Sequence, residues 1–300
     1  TSYSGLVRVA QQSAGVGSEP EVAGLDDEVA DLVLATPAAG ADLPSPMADL
    51  PMGATFGSLV HAVLETADPL AADLGAELAV QIDKHAVWWP VDVPAAELAA
   101  ALVPLHDTSL GPLADHLTLR HIGLADRLCE LDFEFPLAGG DLCGAAPEIR
   151  LADVGRLLER HLPAGDPLAP YVDRLTDATL GGQSLRGYLS GSLDVVLRIP
   201  DPAGDGGGHR YLVADYKTNW LGDTDRPLTA ADYTPDRMAE AMLHSDYPLQ
   251  ALLYCVVLHR FLRWRLPGYD PARHLGGVLY LFVRGMCGPD TPVTGGHPAG

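Results

Sequence analysis

Apolar and polar positions alternate with two different periods along this chain. A helical period runs through 52–68 (MGATFGSLVHAVLETAD), where Phe56, Leu59, Val60, Val63, Leu64 and Ala67 recur at i, i+3 and i+4. Proline-broken helical patterns follow over 69–87 and 94–105, with Trp88, Trp89 and Pro90 expected to close the first of them as packing aromatics. Residues 127–135 (RLCELDFEF) change to a strict period of two, with Leu131, Phe133 and Phe135 inward and Glu130, Asp132 and Glu134 on a solvated face. A helix is predicted over 151–161, and an irregular connection over 171–182. Residues 188–200 (YLSGSLDVVLRIP) form a strand with Leu193, Val195, Leu197 and Ile199 on one face and Asp194 on the other. The run 201–208 (DPAGDGGG) breaks both helix and strand, and 209–216 is a short apolar strand that ends in charge. Together they read as a β-hairpin with a large loop. An amphipathic helix over 229–243 is expected to use Met238 and Met242 as core filler. A long helix over 247–266 (YPLQALLYCVVLHRFLRWRL) and a buried strand over 275–283 (LGGVLYLFV) complete the pattern. Residues 1–50, rich in Ala, Gly, Pro and Asp, read as a tether or wrapping arm, and 51–300 as the folded domain.

Composition narrows the class. Apolar residues make up 47% of 300, enough for a sizeable core. A chain that opens on Thr1 and stops in GGHPAG is expected to be a piece of a longer polypeptide. No apolar run reaches the roughly 18 residues of a membrane span, so no membrane association and a cytoplasmic location are expected. Cys129, Cys143, Cys255 and Cys287 are scattered without C-x-x-C spacing, which argues for reduced thiols and against zinc or an iron–sulfur cluster.

Charge changes the picture more. A net charge of −21 disfavours a generic nucleic-acid surface. From Cys255 onward, however, Arg260, Arg263, Arg265, Arg273 and Arg284 face only Asp270 and Asp290. Arg260 and Arg263, with His259 and Arg265 beside them, make a candidate basic patch near a helix C-terminus, where the dipole favours cations. A phosphate clamp and a docking surface are equally open readings of it.

The candidate chemistry sits in the hairpin. Asp215 and Lys217 share a strand face, Tyr216 points away, and pairing in register brings Asp194 close to Asp215. Adjacent carboxylates repel unless a cation joins them. Hard oxygen ligands suit Mg²⁺ or Mn²⁺, and a lysine beside the ion can stabilise charge on a phosphate. Lys217 is one of two lysines in a chain with seventeen arginines, so the compact ammonium at this position is informative. Because the two acids repel, Asp215→Ala is expected to remove activity without loss of stability.

Helix, three strands, helix, strand, with G-S-L-D before the turn and D-Y-K after it, resembles the restriction-endonuclease-like PD-(D/E)xK core, an α/β fold with a mixed sheet flanked by helices. The segments TSYSGL, GSLVHAVLE, GSLDVV, DYKTNWLG, YPLQALLY and HLGGVLYLFVRGM are similar, in that order, to the C-terminal nuclease domain of the RecB family of helicase–nuclease subunits. The resemblance implies His61, Asp194, Asp215 and the Tyr216 backbone carbonyl as ligands of a divalent ion, Mg²⁺ or Mn²⁺, with Asp215 and Lys217 catalytic. It implies that Gln250 and Tyr254 line the DNA path. Activity is then metal-dependent cleavage of single- and double-stranded DNA ends in a bacterial, nucleoid-associated machine. ATP is used by the helicase region of the parent chain, and the other subunits are partners. Two rivals are an inactive docking or DNA-binding module of the same fold and a hydrolase of small phosphate esters.

Overall fold

The computed structural model describes residues 39–137, 149–178, 180–201 and 208–300. Residues 202–207 of the predicted turn at 201–208 and residues 1–38 of the predicted arm lie outside the described residues. Residues 39–50 are part of the fold: Met47 is fully buried and Leu50 nearly so.

The helical period at 52–68 gives α1 (Ala54–Thr66), and Phe56, Leu59, Val60, Val63 and Leu64 are all buried. The next pattern forms α2 (Leu74–His85), which begins five residues later than the periodicity predicts. Asp73 supplies the reason, since its side chain accepts from Ala76 N at 2.9 Å and caps the helix there. Trp89 packs on the core, but Trp88 is 77% exposed, contrary to the expected packing role. Helix α3 (Ala95–Asp107) follows.

Strand β1 (Arg127–Pro136) shows the predicted alternation, with Leu131, Phe133 and Phe135 half-buried and Glu130, Asp132 and Glu134 exposed. Helix α4 (Leu151–His161) lies where the pattern places it. An additional helix, α5 (Ala169–Thr176), replaces the first half of the expected irregular connection. Pro170 in its first turn and the buried i, i+4 pair Tyr171 and Leu175 sustain it.

Strands β2 (Tyr188–Pro200) and β3 (His209–Lys217) form the antiparallel hairpin, in register from Val195↔Ala214 to Pro200↔His209. The amphipathic stretch at 229–243 is split. Pro235 cannot extend a helix backwards, so a short 3₁₀ turn at Ala230–Tyr233 ends before α6 (Pro235–His244), on which Met238 and Met242 are only half-buried. Helix α7 (Tyr247–Arg265) and the single turn α8 (Pro271–His274) lead into β4 (Leu275–Phe282), parallel to β3. The four strands form one mixed sheet in the order β1-β2-β3-β4. A parallel β3–β4 pair requires a crossover, which α6 and α7 provide. Its register shifts between Tyr211 and Leu212, where Gly276 has no room for a Cβ (2.8 Å to Leu212) and Gly277 takes φ 107°. This accounts for the Gly-Gly pair that opens the strand.

The described residues group into two compact units. One contains 131–193 and 239–257, with Leu151, Tyr171, Leu175, Leu180 and Leu249 as its core. The other contains 39–130, 194–238 and 258–300. Its core joins α1, α2 and α3 to Val195, Leu197 and Ile199 of β2 and Leu212, Ala214 and Tyr216 of β3. Each such fully buried aliphatic side chain contributes about 1.5–3 kcal/mol. Among the described residues no helix is long and apolar enough to cross a membrane.

Candidate active site

Three segments of the larger unit meet where the β2–β3 ladder ends. The register stops at Val195↔Ala214, so Asp194 and Asp215 are the next residues on the two strands. The Asp194 carboxylate accepts from Tyr216 N, and its Oδ2 lies 3.2 Å from His61 Nδ1. Helix α1 brings His61 there. Its buried stripe is laid on the sheet, and Gly57, whose Cβ position is 3.0 Å from Thr218 Oγ1, permits close approach beside the end of β3. The edge histidine of the sequence pattern thus becomes the partner of a strand aspartate.

On β3, Asp215 and Lys217 point the same way, and their Oδ1 and Nζ are 2.7 Å apart with side chains 2% and 9% exposed. Lys217 Nζ also stands 5.4 Å from the centroid of the Tyr280 ring on the neighbouring strand, a contact that sequence reasoning missed. Only the register of β4 against β3, Asp215↔Tyr280, could have indicated it. Tyr216 faces the core, and burial pushes its phenol up to about 12. Its ring meets the His61 ring edge-on, with centroids 6.0 Å apart, while its backbone N donates to Asp194.

Electrostatics separates the two acids. Burial opposes the charge of Asp194, but the His61 hydrogen bond and the positive charges of His61 and Lys217 overcome it and hold the carboxyl below its ordinary range. For Asp215 burial dominates, with the Asp194 charge adding to it, and its carboxyl is raised despite Lys217. Burial also works against charge on His61, yet the Asp194 hydrogen bond and the charges of Asp194 and Asp215 prevail and raise it. Two acids and two bases therefore neutralise one another in one small volume.

That pairing corrects the picture of a bare repulsive pair. Asp215→Ala takes the 2.7 Å carboxylate partner from a Lys217 ammonium that is only 9% exposed, so a loss of stability is expected in place of unchanged stability. Among the described residues no group of three or more His, Cys, Asp or Glu side chains stands arranged to hold a metal ion. His61 is committed to Asp194, and Asp215 to Lys217.

Gln250 and Tyr254 belong to the smaller unit, both buried, with Gln250 Nε2 donating to Tyr254 OH at 2.8 Å. Arg260 and Arg263 are exposed at the end of α7. Arg284, counted above with the basic residues, is fully buried and adds nothing to a basic surface. It donates to the carbonyls of Thr218 (2.8 Å), Met47 (2.8 Å) and Pro51, with the Phe56 and Trp220 rings at 5.1 and 5.5 Å. One side chain thereby ties the residue after Lys217 to the segment that precedes α1.

No family model matches the chain. Curated relatives do. The chain is 68% identical over 301 residues to the RecBCD enzyme subunit RecB of Mycolicibacterium smegmatis, all of this chain against 27% of that protein. It is 66% identical over 304 residues to the same subunit of Mycobacterium tuberculosis, again over the whole chain and 27% of the relative. The RecB of Escherichia coli is 39% identical over 139 residues, 43% of this chain and 11% of that protein. The chain thus spans 27% of the length of its first two relatives.

Proposed function

The chain belongs to the RecB family, and from that premise we propose that it is the DNA-cleaving part of a RecBCD-type helicase–nuclease acting in double-strand-break repair and degradation of linear DNA. The observation that carries the reading is the closed set His61–Asp194 and Asp215–Lys217 at the end of the hairpin. A docking module has no use for a buried acid–ammonium pair beside a part-buried acid–imidazole pair, since burying charge costs several kcal/mol per ion unless it is compensated.

The donor set fits a hard divalent ion in kind: two carboxylates, an imidazole nitrogen and the Tyr216 carbonyl. Asp194, Asp215, His61 and the Tyr216 carbonyl would hold Mg²⁺, or Mn²⁺, toward which the nitrogen ligand inclines the site. When bound, such an ion supplies Lewis acidity at a phosphate oxygen and an acidified water. Lys217 is placed to stabilise negative charge that develops at phosphorus as one P–O ester bond is exchanged for a P–OH and an alcohol. Asp215 keeps the ammonium oriented, and Tyr280 limits its freedom from the adjacent strand. His61 is turned by its hydrogen bond to Asp194. The other parts of the proposal rest on the resemblance to that family. Gln250 and Tyr254 line the DNA path, strands arrive from the helicase region of the parent protein, which consumes the ATP, and the whole works with further subunits in the cytoplasm at the nucleoid.

The test uses Asp215→Asn, which preserves shape and removes the charge. Degradation of linear DNA with Mg²⁺ should fall by about 10²-fold or more, the scale of losing one electrostatic device at a reacting centre, while the circular dichroism spectrum is retained. Lys217→Gln should behave alike. Wild-type rates in both folded variants would remove the assignment, and wild-type protein that cleaves a small phosphodiester but no DNA would shift it to the small-ester rival.

A further inference from the structure

Two tryptophans of the described residues stand mostly in solvent, Trp88 at 77% and Trp264 at 76% exposure. Their surroundings differ. Trp88 belongs to the first 110 residues, which hold Arg8 and Lys84 against sixteen acids. Trp264 is flanked by arginines: Arg260, Arg263 and Arg265 are all exposed at the last turns of α7, and Arg273 is exposed on α8 just beyond. Arg260, Arg263 and Trp264 are related by i, i+3 and i+4 and so share one helix face. The Arg265 guanidinium lies 5.0 Å from the centroid of the Trp264 ring, a cation–π contact that steadies the indole. The neighbouring acid, Asp270, is engaged in capping α8 through Ala272 N at 3.0 Å. The helix dipole accounts for arginines in a last turn. It gives no reason for an exposed indole among them.

We propose that the C-terminal end of α7 is a platform for single-stranded DNA, on which a base stacks against Trp264 while Arg260, Arg263 and Arg265 contact the flanking phosphates. The proposal rests on the DNA-cleavage reading and adds to it a place where the strand is held. Charge selects the occupant: on a chain of −21, the exposed Arg260, Arg263 and Arg265 gather around Trp264 at the end of α7, while Arg273 lies beyond them, near Asp201 and Asp270. Every base offers a π-face, so an aromatic flanked by arginines binds single strands with little sequence preference. The platform is not at the reacting centre. Helix α7 leads through α8 to Leu275, which pairs with Tyr211, whereas Asp215 pairs with Tyr280. Five residues of β4 thus separate the two ends, on the order of 17 Å. It acts on binding and retention of a strand and leaves the hydrolytic step alone.

The experiment measures binding of the 300-residue chain to a labelled oligo-dT strand by fluorescence anisotropy in EDTA, where no cleavage occurs, over a salt series. Trp264→Ala should weaken binding about tenfold, within the range for one stacked base. An abasic strand of equal length should bind wild type and Trp264→Ala alike. Arg263→Ala should lower the slope of log K against log salt by about 0.7, one phosphate contact on a single strand. Trp88→Ala is the control and should bind as wild type, and melts of each variant establish that it is folded. Unchanged oligo-dT affinity in Trp264→Ala, or equal wild-type affinity for oligo-dT and the abasic strand, overturns the platform. So does a Trp264→Ala variant that binds DNA normally but no longer assembles with partner subunits, because the face would then dock protein. Mg²⁺-dependent cleavage by wild type is scored separately, so failure of the platform and failure of the nuclease reading give different results.

Discussion

Lys217 is the cation paired with the buried Asp215, and its loss should be felt before any substrate arrives. Lys217→Ala leaves Asp215, 1% exposed, without its 2.7 Å partner and next to the Asp194 charge. Without divalent ions the variant should lose about 1–3 kcal/mol, the scale of an orphaned buried polar group. Added Mg²⁺ or Mn²⁺ should restore melting temperature more in the variant than in wild type, because a ligand that binds only the folded state stabilises it by mass action. Asp215→Ala should also melt below wild type, because the ammonium loses its 2.7 Å carboxylate partner. A second residue tests linkage away from the site. His106 is fully buried, and burial, with the charges of Arg127 and Arg120 adding, pushes its imidazole down to about 4 despite the hydrogen bond between Nδ1 and the Leu102 carbonyl. The unfolded chain takes up that proton near about 6.5. Stability from this group is therefore complete above that pH and declines as pH falls toward 4, by up to about 1.4 kcal/mol per unit. Urea midpoints at neutral and mildly acidic pH should show a shallower decline in His106→Gln than in wild type. A parallel decline in both would refute the buried neutral form. The shared face of Asp215 and Lys217 is legible in the sequence, but the burial of His106 is not, since by itself it is a single histidine on an amphipathic helix.

Elements were far easier to read than their partners. The period-3.6 stripe of α1 and the alternation of β1 and β2 gave boundaries within two residues. These patterns record one buried face, and local geometry repeats it. What joins the elements is irregular, and Arg284 shows why it was misread. In sequence it is an arginine after a strand, grouped with the basic residues; in the fold it is a buried strut across three segments more than 60 residues apart along the chain. Arg284→Lys keeps the charge but loses the planar fork, leaving carbonyls of Thr218, Met47 or Pro51 without donors. The expected cost is about 2–3 kcal/mol. Cleavage should fall beyond the loss of folded protein, since Thr218 directly follows Lys217 and the 47–51 segment leads into α1, which carries His61. Activity per folded molecule equal to wild type would make Arg284 a stability residue alone. A second buried hub, Asp232, accepts from Arg226, Thr229 and Arg237. Asp232→Ala should destabilise by about 2–3 kcal/mol, less than a fully buried pair because Arg226 is 39% exposed and screened.

For the whole molecule, charge sets the expectation. At −21 the chain draws no DNA from a distance, and burial of Arg284 leaves its basic end smaller than composition suggests. Non-specific affinity comes chiefly from Lys and Arg releasing counterions from phosphates, so few contacts mean weak binding. The chain by itself should cut linear DNA slowly, with single-stranded ends preferred and little sequence preference. Joined to a helicase, the same site would meet its strand at an effective concentration of about millimolar for a short flexible tether. Rates for the chain and for the assembled complex, compared over a salt series, check this. The free chain should slow steeply with salt, the complex much less, and equal rates in both would show that delivery is unnecessary.

The sequence by itself determined the α/β order, the hairpin, the shared face of Asp215 and Lys217 and the family, because each is written in local periodicity or in short ordered words. Tertiary structure alone decided that His61 meets Asp194 across 133 positions, that Lys217 lies over Tyr280, and that Arg284 is buried while Arg263 and Trp264 are not. Such pairings depend on how a helix is laid on a sheet and how a parallel strand is registered after a long crossover. Those arrangements are set by packing of the whole core, and no local pattern along the chain encodes them.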